Sequence, residues 1–236
     1  MKRFYTSAEI VSADDGFGIV LDGRPLRTPG RAPLVVAREG LAVAIAGEWN
    51  AQGEKIDPRS MPLTGLANAA IDRIAPDQAS FARGLAVYGE SDLLCYRAEG
   101  PGPLVRLQSA HWDPILAWAS HRFDVAFETV AGIIHRPQST ATVERLAQAV
   151  HSRRAFELAG LSPLVTVSGS LVIALALAEK GIDLDQAWSA ATLDEQYQID
   201  QWGQDPEAIK SLAGRRVDFE AGARFLDLVQ APNGGG

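Results

Sequence analysis

Residues 16–49 read GFGIVLDGRPLRTPGRAPLVVAREGLAVAIAGEW, and the spacing of the apolar residues changes within this stretch. Before Arg38, short runs of β-forming residues at 17–21 and 34–36 are separated by turns that contain glycine and proline. After Arg38, apolar residues recur at helical spacing as far as Trp49. The stretch therefore predicts a short β-rich segment that is followed by a helix.

Most of the remaining chain has helical spacing. The predicted helices cover residues 62–74, 77–88, 104–122, 140–159, 163–180, 183–202 and 206–228. Residues 124–134 are predicted to be a strand or an extended link. Three or four short strands do not form a robust domain alone, so we expect them to pack on the helices.

The predicted fold class is α+β, with a small N-terminal β-rich module followed by a larger, mainly α-helical domain. Residues 1–60 are assigned to the module and residues 61–230 to the helical domain. Residues 231–236 end in three glycines and are predicted to be a disordered tail.

The composition is that of an ordinary globular protein, with 47% hydrophobic and 22% charged residues. The net charge of −7 and the lack of a long Lys/Arg cluster in the sequence argue against binding to nucleic acid. Cys95 is the only cysteine, which excludes an intramolecular disulfide and a cysteine-rich zinc site and fits a reducing compartment. We expect Cys95 to be a small buried residue.

The most apolar run of the sequence, at residues 161–178, does not resemble a membrane span. Pro163 and Gly169 interrupt it and Glu179 follows it directly, so it predicts a buried core helix. The N-terminus lacks the long apolar segment of a secretory signal and has acidic residues early, unlike a mitochondrial presequence. We therefore expect no membrane insertion.

Residues 183–205 read DLDQAWSAATLDEQYQIDQWGQD and contain an unusual carboxylate. If this stretch were one helix, a single face would carry Leu184, Trp188, Ala191, Glu195, Ile199 and Trp202. Glu195 is the charged residue of that face, and an ionised carboxylate among apolar residues is costly unless it is paired. It could form an internal salt bridge or simply be exposed, and the candidate internal partners are Arg215, Arg216 and Arg224. Alternatively, the chain provides no counter-ion, and a second protein supplies the group that pairs with Glu195.

The sequence contains no convergent set of catalytic groups. Its histidines lack the spacing of a helical zinc site, and Ser168-Gly169-Ser170 lacks the surroundings of a nucleophile elbow. The glycines that follow Asp14-Asp15 form a hairpin turn, which is not a phosphate-binding loop. Asp194 and Glu195 diverge by about 100° on a helix, so they cannot flank one bond. We therefore expect no catalytic residues, no metal site and no cofactor.

Six motifs follow one another along residues 3–229: LDGRPLRTP at 21–29, EW at 48–49 with Gln52, MPLT at 61–64 with Asn68 and Asp72, SDLLCYR at 91–97, Gln108 with WDP at 112–114, and LDEQYQ at 193–198 with Trp202-Gly203. In this order and spacing, the chain resembles the assembly-chaperone family for the catalytic F(1) sector of F-type ATP synthase. Within that family it resembles the member that escorts the α subunit.

The resemblance implies a molecular chaperone without enzymatic activity. Such proteins bind the unassembled α subunit, shield the surface that it later buries against β, and release it as the hexameric head forms. An acidic residue at the position that matches Glu195 is associated with this activity in the family. The implied fold is likewise a β-rich N-terminal part and a helical C-terminal domain.

The predicted partner is therefore the ATP synthase α subunit, and the protein is expected to act as a monomer. The predicted partner-binding residues are Glu195, Asp194, Leu193, Tyr197, Gln198 and Trp202. Mitochondrial relatives carry a targeting extension, whereas this chain begins almost at the matching region. We therefore expect a bacterial, cytoplasmic member, with eukaryotic relatives in the mitochondrial matrix.

Two other functions stay open at this point. A small-molecule hydrolase or isomerase could use Glu195 with His111 or His151, which would require a pocket that joins these side chains. A helical adaptor for some other complex could use the same aromatic residues as a binding patch. Co-purification would separate the adaptor from the chaperone.

Overall fold

The computed structural model describes residues 1–132, 136–203 and 205–232. The strands are β1 (Ala8–Ala13), β2 (Gly16–Leu21), β3 (Arg24–Pro25), β4 (Val35–Val36), β5 (Tyr96–Arg97) and β6 (Val130–Ala131). The α-helices are α1 (Glu39–Asn50), α2 (Pro62–Ala69), α3 (Gln78–Ala86), α4 (Gly102–Phe123), α5 (Thr140–His151), α6 (Ala155–Ser168), α7 (Leu171–Ala178), α8 (Leu184–Ala191), α9 (Leu193–Trp202) and α10 (Pro206–Gln230). A small N-terminal sheet precedes a mainly helical chain, which confirms the predicted α+β class.

The chain divides into two compact units. The first unit contains residues 1–78, 154–160 and those from 224 onward, and the second contains residues 79–153 and 161–223. The expected boundary at residue 60 falls inside the first unit, because α2 belongs to this unit together with the sheet and α1. Of the predicted disordered tail, residues 233–236 lie outside the described residues.

The sheet of the first unit is built around β2. β1 and β2 form an antiparallel hairpin, and both β3 and β4 also pair with β2. Gly16 begins β2 with a φ of 141°, and a Cβ at this position would lie 2.3 Å from the carbonyl oxygen of Val36. This close crossing therefore requires glycine. Arg24 and Pro25, which were predicted to be part of a turn, form the short strand β3.

Helix α1 packs against β1 and β2 through the apolar face that its spacing predicts. The buried residues of this face are Leu41, Ala42, Ile45, Ala46 and Trp49.

Next to this face, Glu48 caps the start of α2. Its carboxylate accepts hydrogen bonds from the amide of Leu63 and from the amide and hydroxyl of Thr64, each at 2.7 Å. Glu48 thus satisfies N–H groups that the first turn of a helix leaves unpaired.

Helix α7 is buried along its whole length in the second unit, where it packs against α4 and α8. This agrees with the buried core helix that the apolar run predicts. No described helix is both long enough and apolar enough to cross a membrane. β5 and β6 form a small parallel pair in the same unit, so the predicted extended link contains one short strand. Residues 133 and 134 of that link lie outside the described residues.

A fully buried carboxylate holds the start of α7. Asp92 accepts hydrogen bonds from the hydroxyl of Ser170 at 2.7 Å and from the amides of Val172 at 2.9 Å and Leu94 at 3.1 Å. Burial raises the pKa of Asp92 to about 6, although these hydrogen bonds favour the charged form. Asp92 therefore joins the segment that precedes β5 to the N-terminus of α7.

Two predicted helices have the wrong boundaries. The predicted helix at 140–159 is divided into α5 and α6. Pro163, which was expected to begin a helix, lies inside α6, and the break comes instead at Gly169, which has a φ of +67°. Glycine adopts this left-handed conformation without steric cost, and Ser170 then caps α7 with its side chain. The break is therefore set by Gly169-Ser170, because a helix can continue past a proline that removes only one hydrogen bond.

Candidate partner-binding site

The segment that was predicted as one helix over residues 183–202 is broken at Thr192. α8 ends before this residue and α9 begins after it, and Thr192 has a φ of −115° and a ψ of 10°. Its hydroxyl donates a hydrogen bond to the carbonyl oxygen of Trp188 at 2.8 Å. The prediction of one continuous helix is therefore wrong, and the predicted single apolar face does not form. Trp188 is buried, whereas Trp202 is 79% exposed.

Helix α8 is capped at its start and is hydrogen-bonded to α4 near its end. Asp183 and Gln186 form a capping box at the start of the helix. Near its end, the indole N–H of Trp112 donates to the carbonyl oxygen of Ala190 at 2.9 Å. Between these contacts, the ring of Trp188 lies 5.5 Å from the ring of Phe219 on α10.

The first turn of α9 is fixed to α4. Leu193 is buried, and the carboxylate of Asp194 accepts a hydrogen bond from the side-chain amide of Gln108 at 2.8 Å. The carbonyl oxygen of the same Gln108 side chain accepts from the amide of Ala98 at 2.8 Å. Gln108 therefore connects α9 to the backbone that follows β5.

Glu195 forms a salt bridge with Arg215 of α10. The side chains are 46% and 35% exposed, respectively, so the pair is partly solvated. The hypothesis that Glu195 has no internal counter-ion is therefore wrong, and the alternative of an internal arginine holds. Asp194 and Glu195 turn to α4 and α10, respectively, as expected for adjacent residues on a helix.

Arg216, the next residue after Arg215, is directed toward α8. Its guanidinium lies 3.2 Å from Asp185 and 2.7 Å from Glu220, and 5.9 Å from the centre of the Trp188 ring. Two consecutive arginines of α10 therefore contact two different helices, Arg215 with α9 and Arg216 with α8.

The second half of α9 is exposed. Gln198 is exposed, Tyr197 is half-buried, and Trp202 ends the helix with its side chain largely in solvent. In α10, Ile209 is also exposed. A large exposed aromatic residue is a common anchor of protein-binding surfaces.

The six predicted partner-binding residues therefore fall into two groups. Leu193, Asp194 and Glu195 make contacts within the chain, whereas Tyr197, Gln198 and Trp202 are partly or fully accessible. The sequence did not assign a role to Gln108, although it belongs to one of the quoted motifs. It named Arg215 as one of three candidates but provided no means of choosing among them.

The contacts of Glu195 do not support the hydrolase hypothesis, which requires a pocket that joins Glu195 to His111 or His151. Glu195 has an arginine as its ionic partner, and His111 and His151 are exposed residues of α4 and α5. Among the described residues, no group of three or more His, Cys, Asp or Glu could hold a metal ion. His135 lies outside the described residues.

Cys95 is buried, as expected. Burial, with a smaller contribution from Asp92, raises the pKa of its thiol to about 12. The side chain is therefore a thiol at neutral pH and is not an activated nucleophile.

The chain is similar to proteins of one family. The model of the ATP12 chaperone protein family matches residues 2–120. The crystal structure of Atp12 from Paracoccus denitrificans is 41% identical, with a TM-score of 0.93, and the match covers 97% of this chain and 98% of that chain. An aspartate-to-lysine mutant of the Paracoccus protein is 40% identical, with the same coverage and TM-score. The mitochondrial protein atp12 of Schizosaccharomyces pombe is 25% identical over 214 residues, which cover 86% of this chain and 74% of the relative.

The family model reaches from the first strand into α4, and the solved relatives extend the likeness through α9 and α10. These matches confirm the resemblance that the sequence motifs indicated, and they identify a chaperone. The chain belongs to the ATP12 chaperone family, the assembly chaperones of the F(1) sector of ATP synthase.

Proposed function

We propose that this protein binds the unassembled α subunit of F-type ATP synthase, prevents its aggregation and transfers it to β during assembly of the catalytic head. Family membership supports the chaperone role. The observation that carries the proposal is the exposure of Trp202 at the end of α9. In this proposal the protein acts without catalysis, as a monomer in the bacterial cytoplasm.

The accessible part of α9 suits such a partner. An α subunit without β exposes an extensive apolar interface, which is prone to self-association. Trp202 offers a large apolar ring with one N–H donor, and the half-buried Tyr197 and the exposed Gln198 lie on the same helix. We assign these three residues to the contact with α. Leu193, Asp194 and Glu195 complete the proposed surface by holding α9 in place.

Release needs no energy source in this proposal. The interface of α with β is of the large, obligate kind, whereas α9 offers a small surface. Because β binds the same region of α more tightly, β displaces the chaperone by mass action. The chaperone would therefore be found with free α and be absent from the assembled head.

A pull-down from native lysate of the host tests the proposed function. With this protein immobilised, we expect the ATP synthase α subunit to be retained and β to be absent from the eluate. Retention of α no greater than on an unmodified resin would contradict the proposal. Retention of a different complex with no α would favour the adaptor hypothesis.

The variant Trp202→Ala tests the proposed surface. We expect it to lose most of its ability to suppress light scattering by purified α subunit, because exposed tryptophans at the centre of an interface contribute about 2 kcal/mol or more to binding. Phe4→Ala is the matched control, since Phe4 is 65% exposed and belongs to the first unit. If Phe4→Ala reduced the suppression and Trp202→Ala did not, α9 would not be the contact surface.

A further inference from the structure

We propose that Arg215 is a positioning residue for partner binding, and that Glu195 serves binding through its ion pair with Arg215 rather than by touching the partner. The ion pair holds α9 in one direction relative to α10, and it thereby keeps Trp202 in position to contact the partner. The inference rests on the proposed function, because it concerns the same surface of α9.

Helix α9 is attached to the rest of the second unit mainly through its first turn. Its first turn contacts the core through Leu193 and through the bond between Asp194 and Gln108. Beyond Glu195, the only side-chain hydrogen bond made by a described residue of α9 joins Gln196 to Asp200 of the same helix, at 2.9 Å. Among the described residues, the salt bridge of Glu195 is therefore the last side-chain contact along α9 that joins this helix to another element by a hydrogen bond.

The salt bridge lies far enough from Trp202 for a small tilt of α9 to move the tryptophan. Glu195 is followed by seven residues up to Trp202, which corresponds to about 10 Å along a helix. Arg215 lies on α10, so the chain reverses direction between the two charged groups and the pair lies near the base of a helical hairpin. A tilt of about 20° at the pair would displace the end of a 10 Å helix segment by about 3 Å. Such a displacement is enough to remove a tryptophan from a fitted pocket.

The guanidinium of Arg215 is partly buried. The side chain is only 35% exposed, and its Nε is buried without a hydrogen-bond partner among the described residues. The guanidinium therefore depends on Glu195 for its pairing. Arg216 does not take the place of Arg215 as the partner of Glu195, because Arg216 already forms ion pairs with Asp185 and Glu220. Removing the charge of Glu195 leaves Arg215 half-buried and unpaired, and reversing the charge places two cations against each other.

A charge swap separates positioning from direct contact. The proteins compared are wild type, Glu195→Arg, Arg215→Glu, and the double variant that carries both changes. Glu144→Arg is the matched control, since Glu144 is an exposed residue of α5 and the substitution changes the net charge by the same amount. Two properties are measured: the affinity for purified α subunit by calorimetry, and amide hydrogen exchange over residues 196–202 of the free protein.

We expect each single variant to bind α about three- to tenfold more weakly, in line with the loss and reversal of a partly exposed ion pair. Exchange over residues 196–202 should be faster in both single variants. The double variant should recover both properties to within about twofold of wild type, and Glu144→Arg should change neither. The conservative variant Glu195→Gln should show about a twofold loss of affinity, which guards against a folding defect in Glu195→Arg.

The inference is overturned if the double variant binds as weakly as Glu195→Arg, because Glu195 would then contact the partner directly. It is also overturned if Arg215→Glu leaves both the affinity and the exchange unchanged. Failure of wild type to bind α would contradict the proposed function instead. The exchange measurements on the free protein would still decide whether the pair positions α9.

Discussion

Asp92 and Glu195 are both carboxylates that make contacts within the chain, but they are held in different ways. Asp92 is fully buried, and within the described part of the chain it receives hydrogen bonds from a hydroxyl and backbone amides and from no cation. Glu195 is half exposed and is paired with an arginine on another helix. An acidic residue that makes contacts within the chain can therefore be part of the buried core or one side of a partly exposed ion pair. The donors around the carboxylate decide which of the two it is.

The largest effect in this comparison should come from Asp92→Ala. The substitution leaves the hydroxyl of Ser170 and the amides of Leu94 and Val172 buried without an acceptor. We expect a loss of about 3–5 kcal/mol in the free energy of unfolding, measured by urea denaturation. Asp218→Ala, at an exposed position of α10, is the control and should change stability by less than about 0.5 kcal/mol. A loss below about 1 kcal/mol for Asp92→Ala would show that the carboxylate is not a core element.

Asp92 should also make stability depend on pH. Its pKa in the folded protein is about 6, above the ordinary value of 3.8, because burial disfavours the charged form. The folded state therefore binds this proton more tightly than the unfolded state, and the stability due to this group falls as the pH rises from about 4 to about 6. The total change is about 3 kcal/mol at most.

Comparison with Asp92→Asn isolates this contribution from that of the other acidic groups. The stability of wild type minus that of the variant should decrease between pH 4 and pH 7 in urea denaturation. A difference that stays constant over this range would show that Asp92 has the same pKa in both states.

A third carboxylate, Glu48, should have an intermediate effect. It is partly exposed and caps α2 through Leu63 and Thr64. We expect Glu48→Ala to lower the free energy of unfolding by about 1–2 kcal/mol, as for other helix caps. Glu54→Ala, an exposed glutamate nearby, provides the baseline. Equal stabilities of the two variants would mean that the cap contributes nothing measurable.

The smallest effect on stability should come from Trp202→Ala. Because most of its side chain is in solvent, we expect the midpoint of thermal unfolding to stay within about 2 °C of wild type. Trp188→Ala is the internal reference and should cost about 3–5 kcal/mol, since Trp188 is buried against Phe219. A large destabilisation by Trp202→Ala would indicate that α9 is fixed along its whole length.

The sequence predicts the sheet and α1 well because local signals agree there. Turn residues separate the strands, and apolar residues in α1 recur at helical spacing up to Trp49. The breaks at Gly169 and Thr192 were missed for different reasons. Pro163 was a stronger sequence signal for the end of a helix than Gly169, although a helix can tolerate the one amide hydrogen bond that a proline removes. Thr192 has ordinary helix neighbours, and its break depends on tertiary packing that a periodicity does not contain.

The candidate site could be predicted only in part. The unusual position of Glu195 and the family motifs point to the right segment of the chain. The choice of Arg215 among three arginines depends on how α10 folds back beside α9, which is a long-range property. The exposure of Trp202 was not predicted, because one unbroken helix would place Trp188 and Trp202 on the same face. The break at Thr192 separates them, so that Trp188 is buried and Trp202 is exposed.

The burial of Cys95 has a practical consequence for experiments on this chaperone. Its high thiol pKa makes the native cysteine a poor target for maleimide reagents in the folded state. A cysteine introduced at an exposed position such as Gln201 would therefore react selectively without removal of the native one. A fluorophore attached there would report the capture and the release of a client subunit in real time.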